Sequence, residues 1–265
     1  MITLFAKTYR DHWKALLAWA ITLIGLVCLE MAIYPTIAKS GAAFQQFIDA
    51  YPDAIKKIFR MQDYVSPEGF LSTELYSMMV PLVLIAVGAS WGASATAQEE
   101  DKGTADILFT LPISRVRILL AKMAAAVSAV VFLSFLTMAN ILVLTPAVDM
   151  SISAQALLAG TLSSIGIGLF FTSIAFFVGS FSSHKGVALG AATGISLIFF
   201  VMYSVAGMVN SLDAIEPFNP MEWGLGGNPL FNGIDVAGLI KLFGVSLLFF
   251  IGAHLKFDRK DISSQ

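Results

Sequence analysis

The chain has 265 residues, of which 57% are apolar and only 13% charged, with a formal net charge of -2 and a mean hydropathy of +0.79. A soluble domain carries about 25% charge, and so much apolar surface cannot be hidden in one core of this size, which excludes an ordinary water-soluble fold. The composition predicts an all-α polytopic membrane protein whose surroundings are lipid, with no sign of a nucleic-acid partner.

Residues 1–14 mix Ile2, Leu4, Phe5, Tyr9 and Trp13 with Lys7, Arg10 and Lys14, a pattern that suits either a short interfacial helix or a solvated tail. The apolar run after it, residues 15–37, is longer than the core of a secretory signal and has no prompt small-x-small cleavage site, so it reads as a retained first span. It also satisfies the requirement of about 20 apolar residues for about 30 Å of hydrocarbon. Cys28, the only cysteine, allows no intramolecular disulfide and no thiolate metal cage.

Residues 39–73 form a polar connection with two short amphipathic patterns, Phe44, Phe47, Ile48 and Tyr51, then Ile55, Ile58 and Phe59, divided by Pro52. Each pattern fits a helix that buries its own apolar side or covers the mouth of a pathway. The second span is expected at 74–97, the third at 118–147, the fourth at 154–181, the fifth at 186–209 and the sixth at 236–255. All belong to one transmembrane domain covering 1–265. Residues 210–235, rich in Pro, Gly and Asn, read as a second polar loop.

Six spans place both termini on one side. Lys7, Arg10, Lys14, Lys102, Arg115, Arg117, Lys122, Lys185, Lys256, Arg259 and Lys260 share that side, 11 of the 16 basic residues. The excess of Lys and Arg predicts that this side, with both termini, is cytoplasmic. Small residues at helical spacing, Gly88 with Gly92 and Gly186 with Gly190 and Gly194, mark faces where helix backbones can approach closely, within the subunit or across a dimer.

Catalysis within the chain is disfavoured. His12, His184 and His254, the only histidines, all fall at span ends. A zinc pair of the H-E-x-x-H type is therefore missing, a Ser-His dyad would need a deeper histidine, and there is no P-loop for ATP. Glu30 is the one acid well inside a span. A charge at that depth costs about 2.5 to 3.5 kcal/mol on insertion scales, so Glu30 either marks a transport pathway, paired with a polar group such as Asn140, or reaches water at the outer interface. Lys241 can snorkel outward. Phe170, Phe171, Phe176, Phe177, Phe199 and Phe200 suit the wall of a lipophilic pathway, although packing against lipid or neighbouring helices explains most of them equally well.

Between the second and third spans lies a polar island, residues 99–115. Glu99, Glu100 and Asp101 would complement the N-terminal dipole of a short helix at about 100–112. Thr104, Ile107, Leu108 and Leu111 recur on one face of it, and Pro112 ends it. Such a helix either merely fixes the turn or serves as a knob for the cleft of a soluble partner.

The spacing of Glu99, Glu100, Gly103, Thr104, Leu108, Pro112, Ser114 and Arg115 resembles the signature of type-2 ABC transporter permeases, the membrane subunits of ATP-driven exporters in bacterial and archaeal plasma membranes. Tyr51-Pro52-Asp53, Ser66-Pro67-Glu68-Gly69-Phe70 and Phe257-Asp258-Arg259-Lys260-Asp261-Ile262 are similar to further elements of that family, with Tyr51, Phe70 and Lys260 as conservative departures. The resemblance implies two paired permease subunits, identical or closely related, docked on two copies of a separate ATPase that holds ATP and Mg. This chain would then carry no cofactor or metal of its own. By the same resemblance the island is the coupling helix, docking through Thr104, Ile107, Leu108 and Leu111 and anchored by Glu99, Glu100 and Arg115. The implied cargo is amphipathic or lipophilic: a drug, a peptide or a lipid. The competing reading is an ion exporter or secondary transporter with Glu30 as its coupling site.

Overall fold

The computed structural model describes residues 2–52, 55–56, 63–101, 114–206 and 214–258. Six helices among them are long and apolar enough to cross a bilayer: Ile2–Gly41, Pro67–Ala97, Val116–Val148, Ala154–Phe181, Lys185–Val205 and Val236–Phe257. No strand occurs among the described residues. The all-α, six-span expectation holds, and the chain is a multi-pass membrane protein.

Two boundaries differ from expectation. The N-terminal segment does not turn before the first span; one helix runs Ile2–Gly41 with Pro35 inside it, and after a kink at Gly41, where φ is 24° and ψ is -103°, a second short helix continues to Asp49. Positive φ at that point is cheap only for glycine. Phe44, Phe47 and Ile48 of the first amphipathic pattern therefore lie on the short helix after the kink, with Ile48 buried. The second span starts earlier than expected because Ser66 caps it. The Ser66 hydroxyl accepts from the Gly69 N–H, Pro67 occupies the first turn and Glu68 follows it, an arrangement that satisfies orphan amides and favours the dipole. The next turns, Ser72–Met79, are a π-helix, after which regular α-helix runs Val80–Asp101.

The fourth span is the axis of the bundle, buried along nearly its whole length from Ala156 to Ser180. Its closest neighbour is the second span, and small residues set the distance. A Cβ on Gly88 would lie 1.9 Å from Thr172 Oγ1, one on Gly92 would lie 2.9 Å from both Ala175 Cβ and the Thr172 carbonyl, and one on Gly179 would lie 2.0 Å from Thr96 Oγ1. The hydroxyls at this contact are satisfied on their own helix: Thr172 donates to the Gly168 carbonyl (2.6 Å), Ser164 to Gly160 (2.9 Å) and Thr96 to Gly92 (3.4 Å). Small polar side chains thus sit inside the bundle without unpaired groups.

The second glycine stripe behaves differently. Gly186, Gly190 and Gly194 have nothing within 4 Å of a built Cβ, and the same side of the fifth span exposes Leu197, Ile198 and Val201. Of the six phenylalanines expected to suit a pathway wall, three are buried and Phe177, Phe199 and Phe200 are half-buried. Phe170, Phe171 and Phe176 are buried and pack edge to face with neighbours such as Trp223, Phe249 and Phe250.

The second loop is more structured than its composition suggests. Pro220–Leu225 and Pro229–Asn232 are short helices whose Pro220, Met221, Gly224, Leu225, Pro229 and Leu230 are buried. Leu230 seats against Gly160 of the fourth span. Asn219 caps the first of these helices by accepting from Met221 N–H at 2.9 Å, and its amide donates to the Phe199 carbonyl at 3.0 Å. The residues that read as loop are therefore caps of a folded cover.

Gly88→Ala should force the second and fourth spans apart and destabilise the chain by about 1–3 kcal/mol, the usual range for overpacking. Gly190→Ala should leave stability unchanged or raise it by up to about 1 kcal/mol through helix propensity. Thermal unfolding of the two variants in one lipid environment compares them directly.

Candidate functional site

The chemistry-bearing residues gather at opposite ends of the bundle. At the end that carries the first described residues, the second span reaches Asp101 and the third begins at Arg115, capped by Ser114, whose hydroxyl accepts from Arg117 N–H at 3.4 Å. Glu99 and Glu100 lie on the last turn of the second span. Glu99, Glu100 and Asp101 therefore close the helix of the second span, at its C-terminal end, and do not open a short helix as expected; the rest of the expected coupling helix, with Gly103, Thr104, Ile107, Leu108, Leu111 and Pro112, falls outside the described residues.

The flanks of the island are held on several sides. Asp101 Oδ1 lies 3.3 Å from His184 Nδ1, tying the second span to the connection between the fourth and fifth, where Ser182 Oγ accepts from the His184 N–H at 3.1 Å. Ten residues earlier on the same helix, about 15 Å deeper, Trp91 is 3% exposed. It packs against the Tyr9 ring (5.3 Å) and the His12 ring (4.8 Å) of the first helix. Tyr9 Oη also shares a 2.8 Å hydrogen bond with Ser128 Oγ of the third span. The amphipathic start of the first helix is therefore a brace across the second and third spans, a role its alternation of aromatic and basic residues did not disclose.

Gly88-Ala89-Ser90-Trp91-Gly92 also spells G-x-S-x-G, but it sits inside the continuous helix Val80–Asp101. A nucleophile elbow needs a strained strand-to-helix turn, so these glycines serve packing.

At the opposite end lies Glu30. It is 7% exposed, on the face of the first helix that also buries Val27, Met31 and Tyr34. Glu74, within electrostatic range of it, stands in the π-helical opening of the second span. Tyr64 Oη donates a short hydrogen bond to Glu74 Oε1. Burial, and next the bond to Glu74, push the Tyr64 phenol up, so it stays a donor at neutral pH. Around these groups stand four rings: Tyr64 lies 5.6 Å from Phe44 and 5.7 Å from Phe70, and Tyr34 lies 5.3 Å from Phe70.

Asn140 is elsewhere. Its amide donates to the Ile24 carbonyl at 3.3 Å, six residues before Glu30 and so about 9 Å along the helix. The pairing of Glu30 with Asn140 is not formed; Glu74 and Tyr64 are the neighbours that sequence reasoning missed. A second acid at a span edge was the available signal, but the π-helix that presents it has no sequence period of its own.

Trp91→Ala should cost about 3–5 kcal/mol, the range for truncating a buried aromatic. Asp101→Asn, at a surface pair, should cost at most about 1 kcal/mol. The unfolding midpoints of the purified variants distinguish a structural brace from a peripheral contact.

A family model described as "ABC-2 family transporter protein" matches residues 2–262. Among curated proteins, the chain is 27% identical over 179 residues to the "Probable ABC transporter permease protein NosY" of Pseudomonas aeruginosa, a match covering 65% of this chain and 62% of that protein.

Proposed function

This chain belongs to the ABC-2 family of transporter proteins, and from that membership we propose that it is the permease subunit of an ABC exporter, driven by ATP hydrolysed in a separate ATPase subunit. The observation that carries this reading is the position of the island. It joins the second span, the one packed tightest on the bundle axis, to the third, and the first helix ties the two together through Tyr9 and His12 on Trp91 and Tyr9 on Ser128. A force applied between residues 101 and 114 would move packed helices rather than a slack loop.

In this proposal the island docks in a groove of the ATPase through Thr104, Ile107, Leu108 and Leu111, with Glu99, Glu100, Ser114 and Arg115 at its ends. Closure of the ATPase on ATP and Mg shifts the permease between two conformations. That requires the ATPase to bind the two conformations with different affinity, because a partner without such a preference shifts no equilibrium. Both termini face the cytoplasm, in keeping with the basic residues at that end. The relative's printed name, a permease, supports the same assignment.

Two permease copies and two ATPases make up the assembly. The open face of Gly186, Gly190 and Gly194 suits close approach of a second permease, since small residues drive helix contact in lipid. The cargo is amphipathic or lipophilic. A second reading, ion export or secondary transport with Glu30 as coupling site, is favoured by one observation, the burial of Glu30 against another acid.

Leu108→Asp should leave membrane insertion intact and reduce stimulation of ATP turnover by at least about tenfold, the effect of losing roughly 1.4 kcal/mol of docking free energy. The check is ATPase activity of the co-expressed complex, with crosslinkers placed at 104, 107, 108 and 111. Capture of no nucleotide-hydrolysing subunit, with transport persisting in its absence, would replace the exporter reading by the second one.

A further inference from the structure

We propose that the outward face of the first helix, through Lys7, Arg10 and Lys14, is a docking surface for acidic phospholipid headgroups of the leaflet at the polar-island end of the bundle. Such binding follows from the chain's place in a membrane and is independent of the exporter reading.

Lys7, Arg10 and Lys14 recur at spacings of three and four residues, so they form one row along the helix Ile2–Gly41, and all three are exposed. The row continues into Leu17, Ile21 and Ile24, which are exposed as well and belong to the lipid-facing side of the first span. The opposite side of the same turns is the packed one, with Tyr9 and His12 on Trp91 and Tyr9 on Ser128. The basic row therefore looks at lipid, not at the bundle.

Its depth sets it apart from an ordinary basic flank. Trp91, level with Tyr9 and His12, lies six residues, about 9 Å, inside Ala97, where the apolar run of the second span gives way to Gln98-Glu99-Glu100. On the third span, Ser128, which Tyr9 meets at 2.8 Å, lies thirteen residues, about 20 Å, beyond Arg115, where that helix begins. Two separate helix contacts thus set Arg10 and Lys14 beside apolar stretches of their neighbours, at a level that acyl chains would occupy in a flat leaflet. Charge is accommodated there when headgroups are drawn inward and the leaflet thins.

Charge then selects the headgroup. Lys7 is matched by Asp11 at 2.9 Å, so the excess positive charge rests on Arg10 and Lys14, one turn apart on the same side. Lys14 Nζ stands 5.9 Å from the centroid of the Trp13 ring, and Trp13 is itself exposed; an indole beside a lysine is a pairing suited to headgroup level. A headgroup of net negative charge, such as phosphatidylglycerol, offers its phosphate to both cations without bringing a cation of its own, as phosphatidylcholine does.

The full chain carrying Cys28→Ser and Leu17→Cys is labelled with a nitrobenzoxadiazole fluorophore and placed in lipid nanodiscs, without any ATPase. Phosphatidylglycerol spin-labelled close to its headgroup should quench the fluorophore with an apparent association constant at least about fivefold above that of phosphatidylcholine carrying the same spin label. Arg10→Gln combined with Lys14→Gln should abolish the preference. Salt at about 1 M, where the screening length falls to about 3 Å, should abolish it too, and this arm decides the matter if the double variant fails to fold. The same fluorophore at Leu248→Cys, on the exposed side of the sixth span, should show no preference.

Equal quenching by the two lipids would overturn the lipid surface, as would a preference that survives both the double variant and high salt. Quenching by aqueous iodide without lipid preference would make the face a water-filled crevice, and protection from lipid and iodide alike would mean that another protein chain covers it; either result overturns the surface as well. Because no ATPase is present, these outcomes leave coupling through the island untouched, and failure of that coupling would leave them unchanged.

Discussion

The close approach of the second and fourth spans is the constraint on which the rest of this molecule depends. In lipid there is no hydrophobic gain from bringing two apolar helices together, so the contact must come from dispersion at short range. Gly88, Gly92 and Gly179 remove the side chains that would hold the backbones apart. Thr172 and Thr96 then fill the space they leave while bonding their own helices.

That inner pair gives the outer helices something to lean on. The first span packs on the third, the fifth and sixth flank the fourth, and each keeps an apolar side toward lipid, with Ile21, Leu197, Ile198, Leu247 and Leu248 among the exposed residues. The polar island leaves from the end of the second span, the closest partner of the bundle axis, so its attachment is stiff on that side. Trp91, wedged between Tyr9 and His12, extends this stiffness to the first helix. A soluble subunit acting on the island would address three spans together.

Polar groups inside the bundle fall into two kinds. Hydroxyls of Ser134, Thr137, Ser164, Thr172 and Ser246 return to carbonyls of their own helices and need no neighbour. The carboxylates of Glu30 and Glu74 cannot be satisfied that way, because an ionised acid only accepts and helical amides are already bonded. Their placement is therefore a matter of tertiary structure, and it gives the far end of the bundle its own electrostatic character.

Much of this was legible beforehand. Hydropathy and helical period located all six spans, but the second was expected from residue 74, and the start that Ser66 caps at Pro67 went unread. The fold of residues 214–235 was hidden because Pro, Gly and Asn mark loops and short-helix caps alike. The continuity of the first helix through residues 2–14 was hidden because amphipathicity does not say whether the apolar side meets lipid or protein. By itself the chain's order of residues determined that it crosses a bilayer six times and carries a polar island after the second span, since both are local properties. Which glycine stripe is packed and which is open, and that Asn140 bonds the Ile24 carbonyl and not Glu30, only the assembled bundle decided, because each depends on which helices become neighbours and at what rotation.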